Sequence, residues 1–387
     1  MQLFLSTFFL LLFSFFFFNS SAQFPCGTLA DKKQISELQK FHHEYEMKKS
    51  HSDETYYVPI KIHIIRNTNG TGGLSEQKFY KELDSVNYFY KNAKIQFNLC
   101  GKINYINDSQ FGTFSAPDEE DNLVKPTEFP RVINIYFMDT LLLNGNHICG
   151  FSYLPVGPNT IFIDNSCVNN GNTLAHELGH FFSLLHTHGK SNTTLTDELV
   201  NESNCSVAGD LICDTPADPN LTGKVTYNLL TKKCTYTGNA KDVNGEFFKP
   251  MVENIMSYSK PQCTDSFTLE QYEKIRNSLF YHGRIDLICT SENDVIDESK
   301  IRAVFPNPFQ NYFFVNYQLS ADSRVTLALY NLLGEKIFEM YDQTEAKGFL
   351  KLYYPLGDSF LNSGIYFLKM EVNEKPVSVK KIMRIND

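Results

Sequence analysis

Eleven residues, His176 to His186 (HELGHFFSLLH), place three imidazoles and one carboxylate at spacings that suit a catalytic metal. On a helix of about 3.6 residues per turn, His176 and His180 sit one turn apart on one face and can share an ion. Glu177 lies beside that pair without being forced to ligate, where a general base for a water on the metal belongs. His186 can become a third ligand only if the chain turns soon after Phe182. Three nitrogens leave one position open, as in catalytic zinc sites, whereas structural zinc is closed by four protein ligands. Two other residues could supply the third ligand: His188, or Glu198, which would define a different HExxH class. A core helix with incidental histidines is the competing reading, and burying so many ionisable groups without a ligand is costly.

The elements around the motif must hold these groups in place. Asn172 or Thr173 can cap the helix start, Leu174, Leu178, Phe181 and Leu185 form an apolar face, and Gly179 admits another backbone. Upstream, Val58 to Ile65 alternates like a strand, and Ser75 caps a helix whose Phe79, Leu83, Val86 and Tyr90 share one face. Strands are expected at Ile95 to Leu99, Val132 to Phe137 and Thr160 to Asp164. Thr268 and Gln271 form a capping box for a last helix with Leu269, Tyr272, Ile275 and Leu279 turned inward. The fold class is α+β, a twisted mixed sheet backed by helices with the metal at its edge.

The succession HELGHFF, GDLICDTPAD and NIMSYS, with Met256 70 residues after His186, resembles the metzincin peptidases, most of all the pappalysin-like branch of cytophagalysin and ulilysin type. The resemblance implies a metzincin-type domain in which Met256 underlies the zinc and Tyr258 points toward it, helping to stabilise the reacting carbonyl. It implies that an extended substrate pairs antiparallel with an edge strand, for which Gly150 to Tyr153 is the candidate. It also implies calcium, for which Asp210, Asp214 and Asp218 supply hard oxygen donors. One position departs from the motif: Ser183 replaces its glycine. The chain leaves the helix there with positive φ, which costs a non-glycine residue about 1 kcal/mol or more.

Nine cysteines in an exported chain suggest four disulfides and one left over. Family resemblance favours Cys205 with Cys234 and Cys213 with Cys263; Cys149 with Cys167 is a third expected pair. Cys26 is expected to be free. Its thiolate could fill the open zinc position and keep the enzyme latent, as in some metzincin zymogens; the alternative is a bridge to Cys289 or Cys100.

Residues 3 to 18 are an almost unbroken apolar run followed by Ser20-Ser21-Ala22, which reads as a signal peptide over 1–22. A propeptide over 23–55, a peptidase domain over 56–290 and an acidic polar linker over 291–299 follow. Residues 300–387 carry short strand-like segments at Tyr312 to Leu319, Arg324 to Tyr330, Lys336 to Glu339, Phe349 to Tyr353, Ile365 to Val372 and Val377 to Ile382. They form a small all-β sandwich. Its FPNPF, LYNLLGEKI and SGIYFLKM segments and its terminal VKKIMRI resemble the C-terminal sorting domain of type IX secretion cargo, which implies passage across a bacterial outer membrane.

From Lys300 onward eleven Lys and Arg face nine Asp and Glu, so the preceding part carries −11 of the whole-chain −9. This balance excludes nucleic acid as a natural partner. No second segment is long and apolar enough for a permanent transmembrane anchor. The expected protein is a secreted or surface-attached, monomeric zinc endopeptidase acting on extracellular proteins, its water activated by Glu177. The alternatives are an HExxH peptidase with a glutamate ligand and a non-catalytic adhesin with a degenerate zinc site.

Overall fold

The computed structural model describes residues 26–46, 55–155, 157–168, 171–282, 284, 287, 289, 298–305, 307–310, 312–355 and 361–385. The expected signal peptide and nearly all of the expected linker lie outside these residues.

After helix α1 (Lys32–Glu46), strand β1 (Tyr56–Arg66) forms the axis of a mixed sheet. Helix α2 (Glu76–Tyr90) starts at Ser75, whose hydroxyl accepts from the Lys78 amide, and buries Phe79, Leu83, Val86 and Tyr90 as the periodicity predicts. Strands β2 (Ile95–Leu99) and β3 (Asn104–Asn107) run parallel to successive parts of β1. Four short elements follow, β4 (Thr113–Ala116), α3 (Glu120–Leu123) and, after β5 (Ile133–Met138), β6 (Thr140–Leu143) with β7 (Asn146–His147). Strands β8 (Gly150–Ser152) and β9 (Thr160–Asp164) complete the large sheet in the order β2-β1-β5-β9-β8. Its interior strands are parallel, and β8 alone on this path is antiparallel, at the edge.

Strand side chains alternate between faces. Ile62, Ile64, Ile135, Phe137, Ile161 and Ile163 pack under α2 and under α4 (Asn172–Phe181). Ile65, Tyr136, Met138 and Phe162 face the other way, onto Phe114 and Leu141 of the small sheet β4-β6-β7. That second cover explains why the central strands read as apolar runs. A hairpin, β10 (Val225–Tyr227) with β11 (Cys234–Tyr236), precedes helix α5 (Leu269–Tyr281), whose capping box between Thr268 and Gln271 is formed in both directions.

The expected bridge Cys149–Cys167 is present and ties the start of β8 to the turn after β9. The pairs taken from family resemblance are not. Cys205 joins Cys213 and Cys234 joins Cys263, while Cys100 joins Cys289. The reason is local packing. Cys234 and Cys263 belong to one apolar cluster with Leu221, Val225 and Val252. Cys213 is instead held at the start of α5, its amide donating to the Glu270 carboxylate at 2.9 Å.

The C-terminal part is a two-sheet β-sandwich. One sheet is β12 (Lys300–Phe305), β13 (Tyr312–Leu319) and β16 (Gly348–Pro355); the other runs β15 (Lys336–Glu345), β14 (Ser323–Tyr330), β17 (Gly364–Val372) and β18 (Lys375–Arg384). β12 was not anticipated, and β15 is longer than expected. Phe313, Val315, Leu327, Leu329, Leu368 and Met370 fill its interior.

Candidate active site

Helix α4 begins one residue earlier than its sequence suggests. Gly171, with φ +82°, precedes it, and the cap is contributed from another element: Glu82 of α2 accepts the Gly171 amide at 2.5 Å. Asn172 and Thr173 are therefore not caps. Asn172 Nδ2 donates to the carbonyls of Pro261 and Thr264, and Thr173 Oγ1 donates to the Cys167 carbonyl. Leu174, Leu178 and Phe181 enter the main core, but Leu185 joins a separate cluster because the helix has already ended.

The turn that ends it depends on Ser183, which has φ +77° and is fully buried. Its hydroxyl is 2.6 Å from that of Ser278 on α5, so the residue that replaces the motif glycine gains a partner against its backbone strain. The chain then returns His186 to the helix face.

There the three ring Nε2 atoms converge, His180 lying 3.2 Å from His176 and 3.1 Å from His186. The His176 Nδ1 donates to the Ile255 carbonyl at 2.7 Å and the His180 Nδ1 to the Leu184 carbonyl at 2.8 Å. Both rings thus turn lone pairs, not protons, toward the centre. Burial holds His176 down at about 4, and burial with mutual repulsion holds His180 and His186 well below the usual range. Neutral rings with facing lone pairs repel unless a cation lies between them. A tetrahedral ion with bonds of about 2.0 Å requires nitrogen separations of about 3.3 Å, close to those seen. Cys26 Sγ completes the set, all four donor atoms lying within 4.8 Å of one another. The donors fit a tetrahedral metal with three nitrogens and one sulfur.

Cys26 is free and buried, and the chain after it lies along the edge strand. The Gly27 amide donates to the Gly150 carbonyl at 2.9 Å, and the Thr28 hydroxyl accepts from the Ser152 amide at 2.9 Å. Thr28 Oγ1 is also 3.3 Å from Glu177 Oε2. Glu177 Oε1 is buried without a partner, and burial pushes the carboxyl up to about 8 against the pull of Cys26 and Thr28. Gly150 is what makes room for it: a Cβ there would stand 2.5 Å from Glu177 Oε1.

Beneath the site Met256 is fully buried, and a Cβ on Gly179 would meet its Sδ at 2.4 Å. Gly179 therefore admits a side chain, not the backbone its sequence suggested. The Tyr258 hydroxyl donates to the Cys26 carbonyl at 3.0 Å and accepts from Asn192 Nδ2 at 3.1 Å, with its ring 4.7 Å from that of His186. Neither alternative third ligand joins the cluster. His188 stacks on His186 and bonds Asn192, while Glu198 is buried against Gly209.

The three aspartates do not converge. Asp214 is exposed and accepts the Glu270 amide at the start of α5. Asp210 is buried on the Thr215 hydroxyl and the Ile212 amide, and Asp218 on the Thr187 hydroxyl. Beside Asp210 and Asp218 lies Glu198, which the sequence offered only as an alternative zinc ligand: it is 1% exposed, with an unpartnered Oε1 and a carboxyl pushed up to about 9 by burial and by these two acids. Thr28, Asn192 and Glu82 were missed, and Gly150 was read only as part of the edge strand, since each acts through a contact distant in sequence.

A buried three-histidine cluster on a short helix, closed below by a methionine turn, beside the edge of a mixed sheet, defines a metzincin-type metallopeptidase. Residues 131–280 match the family described as pregnancy-associated plasma protein-A, and residues 303–386 match the secretion system C-terminal sorting domain. The chain is thus a metalloendopeptidase whose residues 131–280 are similar to the pappalysin family, and it carries a type IX sorting domain. An extracellular metalloprotease of Arthroderma benhamiae is 23% identical over 275 residues, covering 67% of this chain and 91% of its own length. One from Arthroderma gypseum is 27% identical over 277 residues, covering 66% and 84%. The solved structure of mirolysin in complex with compound 9 is 21% identical at TM-score 0.43, covering 61% of this chain and 97% of that one. Among the described residues no helix is long and apolar enough to cross a membrane.

Proposed function

We propose that the chain is the latent precursor of a secreted zinc endopeptidase, its zinc held by His176, His180 and His186 and closed off by the Cys26 thiolate. The observation that carries this reading is the convergence of these four donors. Zinc at this site would polarise a peptide carbonyl and acidify water. The chain's own residues do the rest. Glu177, set beside the histidines by α4 and given room by Gly150, takes the proton of the attacking water and returns it to the leaving amine. Tyr258, freed from the Cys26 carbonyl, donates its hydroxyl to the developing oxyanion. Met256 supports the rings from below.

Latency has two parts. The thiolate fills the position that water needs, and Thr28 sits on the base. The strap also runs in the direction opposite to that expected of a substrate. Gly27 meets Gly150 and Thr28 meets Ser152, so it lies parallel to β8, whereas an extended substrate in this fold is expected antiparallel. Its peptide bonds are therefore offered in the wrong sense for cleavage. Helix α1 anchors it, burying Ile35, Leu38 and Phe41. Each contributes about 1.5–3 kcal/mol, enough to keep the strap seated until a cut releases it.

The sorting domain supports export across a bacterial outer membrane before that cut, with proteins outside the cell as substrates. Calcium belongs to this proposal with one ligand changed: the buried Glu198 in place of the exposed Asp214, beside Asp210 and Asp218. The test is casein cleavage by the zinc-loaded protein after limited trypsin activation, beside Glu177→Ala. Cleavage lost in the variant with zinc retained is expected; equal cleavage by both contradicts the assignment of the base.

A further inference from the structure

Leu154, Leu185 and Leu211 form an apolar cradle on the catalytic part, 2%, 4% and 0% exposed, and what fills it is Ile35 and Leu38 of helix α1. The cradle touches the active site at two points. Leu185 precedes the ligand His186, and Leu154 follows the edge strand by two residues. Three distant segments thus converge on it, from the end of the edge strand, the turn after α4 and the GDLICD loop. Leu211 is held there in a left-handed conformation, φ +65°, which a leucine adopts only under constraint from its surroundings. Removing the pro-segment takes Ile35 and Leu38 out of this cluster, next to the catalytic residues.

We propose that this cradle is a substrate subsite for a bulky aliphatic residue, and that helix α1 occupies it in the precursor as a stand-in. The inference rests on the peptidase reading and adds the preferred substrate class. Direction along the edge strand fixes which side of the scissile bond it reads. β8 runs from Gly150, beside Glu177, toward Leu154; an antiparallel peptide therefore meets the Leu154 end first. The selected residue lies on the amino-terminal side of the bond that is cut. Substrates with leucine or isoleucine there replace the contacts that Ile35 and Leu38 make, while a serine or charged residue leaves the leucines in water.

The test is a peptide-library cleavage profile, read by mass spectrometry, for the zinc-loaded, trypsin-activated protein and for Leu154→Ser and Leu211→Ala. Thermal unfolding of each confirms that the variants fold, and two variants keep the result independent of either one. The expected wild-type profile is enriched in leucine and isoleucine amino-terminal to the cut. The ratio of kcat/KM for a leucine peptide over its serine counterpart should fall about tenfold in a folded variant, as expected from losing one buried apolar contact. A flat profile on that side with cleavage otherwise normal overturns the subsite and leaves the peptidase reading standing. So does enrichment that persists undiminished in both variants. Absence of any cleavage by zinc-loaded protein overturns the peptidase reading itself, and the subsite with it.

Discussion

Two buried glutamates in this chain look alike and face opposite surroundings. Glu177 and Glu198 are 0% and 1% exposed, each keeps an unpartnered Oε1, and burial pushes their carboxyls up to about 8 and about 9. Glu177 sits against Cys26 and Thr28, on the helix that carries two of the three converging histidines. Glu198 looks onto Asp197, Glu202, Asp210 and Asp218, with the Lys274 ammonium donating to the Asp210 carbonyl. A raised carboxyl by itself therefore says little. Its neighbours decide whether it is a proton carrier beside a metal or one of a set of acids that repel one another.

The comparison is broken most sharply by substituting each with its amide. Glu177→Gln should lower kcat on casein by about 10³-fold or more with zinc still bound at one equivalent, because the amide takes no proton. Glu198→Gln should change kcat by less than about threefold. A comparable loss in both would erase the distinction.

Next in size is Gly150→Ala. The new methyl would overlap Glu177 Oε1 and push the carboxylate aside, and misplacement by about 1 Å costs about 10²-fold in rate. Zinc content should be unchanged. Full activity in this variant would show that the base has room to spare.

The Glu198 loop should declare itself in stability. Its carboxyl is raised above its unfolded value near 4.5, so the folded protein holds the extra proton between that pH and about 9. Stability is then fullest at low pH and is lost as pH rises through this window, by several kcal/mol in all for this buried group. Urea denaturation of chelator-treated protein at pH 5, 7 and 9 should show the decline, and Glu198→Gln should flatten it. Added calcium should also flatten it if the ion binds there, since a cation supplies the charge the acids lack. A slope indifferent to both overturns the calcium reading.

Smallest is Ser183→Gly, which relieves backbone strain of about 1 kcal/mol but strands the Ser278 hydroxyl at a similar cost. Net change in Tm should stay within about 3 °C.

What could be read from sequence was what is local. The one-turn spacing of His176 and His180, the Ser75 and Thr268 caps and the positive φ at Ser183 all follow from short-range geometry. Contacts made across the fold could not be read. Gly150 beside Glu177, Glu82 beneath the start of α4, and Cys100 with Cys289 depend on which segments the sheet brings together. The small sheet β4-β6-β7 escaped notice because its strands are only two to four residues long. Leu185 was assigned to the helix face because periodicity does not mark where a helix stops, and that stop is what puts it in the cradle. Asp214 was grouped with two buried acids although it is itself exposed, since loop spacing says nothing of burial.

The central claim is that one zinc sits on three histidines and on Cys26 until the strap is cut. Zinc K-edge X-ray absorption on the full precursor, before and after trypsin activation, tests it directly. The prediction is a first shell of three nitrogens near about 2.0 Å and one sulfur near about 2.3 Å, with the sulfur replaced by a light atom after activation. A precursor spectrum without sulfur, or one unchanged by activation, would contradict it.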